Sequence, residues 1–121
     1  MTTETEAKTL KTEADRDDAY LMQVADTILR QMGGAGKLKA MINARSFIAL
    51  DGEGGLKFRF SGCRKANTCV ITHDSTYDVY TFRLYKLHRD YTSELVYDLY
   101  SVYADMLVWT FERETGLDLS L

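Results

Sequence analysis

The chain contains no proline, only two cysteines, two histidines and one tryptophan. Without proline, its turns have to be made by Gly, Asn and Asp, whose backbones accept left-handed or tight conformations. Two cysteines cannot form the framework of a disulfide-stapled domain, and the simple reading is two reduced thiols in a cytoplasmic protein. No apolar run approaches the roughly 20 residues that cross a bilayer, so no membrane partner is expected. The N-terminus, MTTETEAKTLKTEADRDD, lacks the apolar segment of a secretory signal. Phosphate-loop spacing is missing as well. MGGAGK comes close, but Leu38 follows the lysine and a helix precedes it.

What is present describes one α+β domain. The length of 121 residues suits a single core, and 45% hydrophobic with 27% charged residues is ordinary for a globular chain. Residues 1–16 are rich in Thr, Glu and Lys and read as a disordered or frayed tail, leaving 17–121 as the domain. Asp17 or Asp18 suits a helix N-cap, and Leu21, Val24, Ala25, Ile28 and Met32 then fall on one helical face. Gly33 and Gly34 end that helix. KLKAMINA fits a short helix or a strand equally well. RSFIAL and LKFRF flank the turn DGEGG, and TCVITH and DVYTFRLYKL flank DSTY. The expected sheet is therefore an antiparallel meander of about four strands over 45–87. In LKFRF, Leu56, Phe58 and Phe60 face one side, while Lys57 and Arg59 face the other. HRDYTSELVYDLYS carries no clear period and reads as a connection or an early helical turn. VYADMLVWTFERET predicts a C-terminal helix packed on the sheet and closed by Gly116. LDLSL is placed as a docked strand or as packing beneath that helix.

The net charge of −3 hides a pattern. Residues 1–29 carry seven acids against three bases, residues 30–67 eight bases against Asp51 and Glu53, and residues 68–121 nine acids against four bases. A basic middle between acidic ends fits an anionic partner, although neutralisation within the fold would produce the same pattern. The basic groups concentrate in Lys57, Arg59, Arg64 and Lys65, with Asn67 beside them in the loop SGCRKAN. Basic groups fix phosphates and aromatic faces stack bases, so this strand and turn, with Tyr80 and Tyr85 nearby, make a candidate single-strand or RNA platform. Against it stand the low pI of about 5.3 and the absence of an RNA-recognition signature.

Cys63, Cys69, His73 and His88 could ligate zinc in principle, but their spacing does not bring pairs of ligands onto one turn. The expectation is no metal, no cofactor and no catalytic residue. Val108 and Trp109 sit on a helix that is apolar on more than one side. They are candidate interface anchors if that side is open, and core residues if it is not. A homodimer would be another use of such a face.

The strings ILRQMGG, RKAN, TYDVYTF, VYADML and ETGL, spread over residues 28–121, together resemble a family of small uncharacterised proteins encoded by phages and prophages. The resemblance implies a phage setting and assigns no site. By analogy with small acidic phage accessory proteins in general, that setting leads to the expectation of a non-enzymatic protein that binds a host or phage protein in the host cytoplasm, for example a defence-system inhibitor such as an anti-CRISPR. Nucleic-acid binding through the basic strand and turn is the alternative.

Overall fold

The computed structural model describes residues 14–119, with side chains from residue 18 onward. Helix α1 spans Ala14–Gln31 and α2 spans Ala35–Ile42. Five strands follow: β1 (Arg45–Leu50), β2 (Gly55–Arg59), β3 (Thr68–Asp74), β4 (Val79–Leu87) and β5 (Ser93–Val102). A 3-10 turn over Ala104–Met106 leads into α3, Leu107–Thr115. The strands form one antiparallel sheet in the order β1-β2-β3-β4-β5, so each pairs with its neighbour in the chain. The expected α+β architecture is the observed one, with five strands where about four were expected.

The period-two pattern of β2 sets which side of the sheet is covered. Leu56, Phe58 and Phe60 are buried and point to the helices, joined across the sheet by Cys69, Ile71, Phe82 and Leu84. From the helix layer come Ala25 and Ile28 of α1, Met32 in the turn after it, Leu38 and Ile42 of α2, and Leu107 and Phe111 of α3. The spacing of three and four on α1 thus packs as the sequence predicts. Phe111 sits 5.1 Å from Phe60 and 6.4 Å from Phe58 between ring centroids, close enough for edge and tilted aromatic contacts. All the helices with a buried face spend it on this one side.

Several boundaries differ from the sequence reading. Helix α1 is already formed at Ala14, the first residue described, so Asp17 and Asp18 lie within the helix and not at its cap. Residues 14–16 of the expected tail are therefore helical, and 1–13 lie outside the described residues. KLKAMINA lies in α2 and its exit: Asn43, left-handed at φ 55°, closes the helix with its N–H donating to the Lys39 carbonyl. HRDYTSELVYDLYS is a hairpin turn and β5, not a connection. Val102 belongs to β5, so the last helix begins at Leu107. The chain end packs beneath that helix as one of the two expectations had it: Leu119 is buried, its N–H donating to Glu112 Oε2 at 2.7 Å.

At one point the fold requires glycine. A Cβ on Gly55 would run into the Ile71 carbonyl of the neighbouring strand. The aromatic cluster supplies the first test. Phe58→Ala removes a fully buried ring, and urea unfolding should show a loss of about 3–5 kcal/mol.

Candidate binding face of the sheet

Among the described residues, no helix covers the other face of the sheet. Its side chains run in two cross-strand rows: Ile48, Lys57, Val70, Arg83 and Asp98, then Arg59, Thr68, Tyr85 and Leu95. An open cleft of about 610 Å³ lies along the first four strands, lined by Ile48, Lys57, Arg59, Val70, Tyr85 and Tyr91 among others. A second cleft shares Arg59 and Tyr91 and continues to Lys86, His88 and Arg89. Thr68 is almost fully buried on this face, flanked by Arg59 and Tyr85 on the strands either side. Tyr91, at the tip of the β4–β5 hairpin, is 87% exposed.

Lys57 and Arg59 are where the alternation of β2 places them. Lys57 is exposed and Arg59 is half-buried. Neither makes an ion pair among the described residues. The Arg59 Nε is buried with no hydrogen-bond partner among the described residues, at the place where the two clefts meet. Arg83, further along the same face, is already committed: its Nε is 3.2 Å from Asp98 Oδ1, and its guanidinium stands 5.7 Å from the Tyr100 ring centre.

The strand register sorts charge along the sheet. One end gathers the start of β1, the β2–β3 loop and the β4–β5 hairpin. Arg45, Arg59, Arg64, Lys65, Lys86 and Arg89 are there, against Asp90 and Glu94. The opposite end holds the β1–β2 and β3–β4 turns with Asp51, Glu53, Asp74 and Asp78, and no Lys or Arg. Three of these acids have structural partners. Glu53 accepts from Ser75 N at 2.7 Å and Ser75 Oγ at 3.0 Å, tying the two turns together. Asp74 accepts from Thr76 N, and Asp78 pairs with His73 Nε2 at 3.0 Å.

Arg64 and Lys65 are exposed in the β2–β3 loop, at the basic end. Asn67 is fully engaged inside the fold. Its Nδ2 donates to the Leu87 carbonyl, and its Oδ1 accepts from Leu87 N at 2.8 Å and from Thr68 Oγ1. It extends the β3–β4 ladder past the strand end and holds the loop that presents Arg64 and Lys65. Tyr80 points into the core, where burial chiefly raises its phenol above the ordinary range, and Tyr85 alone of the expected pair reaches the open face. Sequence reasoning missed Tyr91 and Arg89, because the segment that carries them showed no period. A basic hairpin tip with a tyrosine was the available signal.

The cysteines and histidines do not converge. Cys69 is sealed in the core, and burial pushes its thiol far above the ordinary range. His73 and His88 lie at opposite ends of the sheet. Among the described residues no group of three His, Cys, Asp or Glu side chains could hold a metal ion. Neither imidazole hydrogen-bonds a hydroxyl or thiol among the described residues; their side-chain partners are Asp78 and Glu94. Val108 is partly buried against the core, whereas Trp109 is 50% exposed with the Arg113 guanidinium 4.6 Å over its ring. No helix among the described residues is long and apolar enough to cross a membrane.

No protein-family model, curated protein or solved structure matches this chain.

Two tests follow from these contacts. Asn67→Ala leaves the Leu87 N–H and carbonyl without their partners, and chemical denaturation should record a loss of about 1–3 kcal/mol. The Ser75 hydrogen bonds, backbone first, hold the Glu53 carboxyl below its ordinary range. Their stabilisation is present above the unfolded-state pKa and is lost as pH falls through the lower folded-state value. Glu53→Gln should therefore lower stability near neutrality and flatten its decline toward acid pH, read from unfolding midpoints across that range.

Proposed function

We propose that the chain is a non-enzymatic binding protein that engages an anionic partner through the uncovered sheet face and the basic end of the sheet. It acts by occupying that partner's surface. The observation that carries this reading is the pair Lys57 and Arg59, which stand in a cleft with no carboxylate against them among the described residues. The contrast with the acids strengthens it. Asp26, Glu53, Asp74, Asp78, Asp90, Asp98 and Glu114 each accept a bond inside the fold. At the basic end Arg45, Arg59, Arg64, Lys65, Lys86 and Arg89 stand against Asp90 and Glu94, so the charge there is positive despite the acidic total. Lys57, Arg59, Arg64 and Lys65 form the contact set, and Asn67 supports it from within.

A protein target is the second reading: a phage accessory protein that binds a host or phage protein, such as a component of a defence system. The exposed Tyr103, Met106 and Trp109 before and on α3 favour it, because large aromatic and sulfur side chains commonly anchor protein interfaces. Affinity capture from host lysate, with and without nuclease, separates the readings by whether the captured protein survives digestion.

The double variant Lys57→Glu with Arg59→Glu should lose retention on immobilised heparin, a generic polyanion, while its far-UV circular dichroism stays unchanged. Wild-type retention should fall steeply as salt rises. Equal retention of the folded variant and wild type would place the anion site elsewhere.

A further inference from the structure

Resting on the reading just given, we infer that the anionic partner of the open sheet face is a single-stranded nucleic acid, with phosphates at Lys57 and Arg59 and bases on Tyr85 and Tyr91. Three features of the face select this chemistry over an acidic protein patch, and a fourth favours an anion at Arg59.

The first is spacing. Lys57 and Arg59 are two residues apart on one strand face, about 7 Å by strand geometry. That is comparable to the step between successive phosphates of an extended single strand. The second is the position of the aromatics. Tyr85 lies two strands from Arg59 in the same cross-strand row, about 10 Å away by inter-strand spacing. A nucleotide whose phosphate rests on Arg59 can lay its base toward Tyr85 over the small side chain of Thr68. The third is Tyr91. It stands at the rim of both clefts and offers a nearly free ring face, which suits stacking on an unpaired base. Bases inside a duplex have no free face to give it, so the arrangement favours single strands.

The fourth feature is the unsatisfied Arg59 Nε. An interior N–H without an acceptor is costly, and the ordinary remedy is an acceptor nearby. A bound phosphate at the guanidinium would draw that group into a charge-assisted contact. Beyond Arg59, the second cleft leads to Lys86 and Arg89, which extend the positive path toward the hairpin. The nucleic-acid backbone would follow β2 from Lys57 to Arg59 and turn at the basic end toward Lys86 and Arg89, with its bases laid across β3 toward Tyr85 and Tyr91. Arg83 is not part of this path, since Asp98 already holds it.

Fluorescence anisotropy with labelled oligothymidine, oligouridine of the same length and a duplex of matched length tests the inference, with heparin retention run beside it. At least one single strand should bind, more tightly than the duplex, and the two single-strand arms report whether the sugar matters. Tyr91→Ala, at an exposed position, should weaken single-strand binding about five- to a hundred-fold, as loss of one base stack does. Tyr85→Phe should leave affinity nearly intact, and Tyr85→Leu should lower it. Arg59→Ala should weaken binding and make the salt dependence shallower. Heparin retention without oligonucleotide binding would overturn this inference and leave the anionic-partner reading standing. Loss of both would overturn both. Duplex binding as tight as single-strand binding, unchanged in the tyrosine variants, would reduce the face to a phosphate contact and reject the stacking.

Discussion

Phe58, Phe60 and Phe111 lock the helix layer to one side of the sheet, and the rest of the molecule follows from that one-sided closure. Once β2 commits its even-numbered residues to this cluster, its odd-numbered ones must face away. Lys57 and Arg59 therefore stand on a surface that no element of the described chain covers. α1, α2 and α3 all bury their apolar stripes on the same side, so none is left to cap the other. The open face is a direct product of the packing and does not depend on a flexible loop. A binding surface built on a sheet in this way is held more rigidly than one carried by connections.

The division of labour among charges is the second organising fact. Acids at the turn end are used as local acceptors: Glu53 ties one hairpin to the next, and Asp74 braces the turn after β3. The bases at the other end have few such roles, although Arg45 donates to the Asn43 carbonyl and to Ser61 Oγ. Net charge is thus a poor guide to the surface a partner would meet. A chain with a pI near 5.3 presents a basic edge because its bases gather at one end of the sheet while most of its acids lie elsewhere.

The legible parts of the sequence were those with an undisturbed period. The α1 face, the β2 alternation and the Gly-rich turn between β1 and β2 all read correctly, since one side of each is buried and the other solvated. β5 was obscured for a physical reason. It is an edge strand with register shifts against β4, and Ser101 adopts φ 60°, so its alternation breaks at both ends. Leu95, Val96 and Tyr100 stay exposed on it, so apolar content does not mark an inner face. The contact bases were visible as residues, but that Arg59, Arg64 and Lys65 share one end of the sheet with Lys86 and Arg89 depends on strand register, which a single chain does not print. Asn67 illustrates the converse: in sequence it resembles one more polar loop residue, and only the ladder shows it bracing β4.

The nearest-neighbour strand order also bears on how the chain reaches this state. Every ladder in the sheet joins segments adjacent in sequence, so hairpins can zip one after another with short loops to close. Long-range ordering is left mainly to α1, which must return over β1 and β2, and to α3, which meets the same aromatic cluster from the far end of the chain. With no proline anywhere in the sequence, prolyl isomerisation contributes no slow step. The sheet's pairings are thus local in sequence, and the long-range contacts are those of the helices that close over its phenylalanine face.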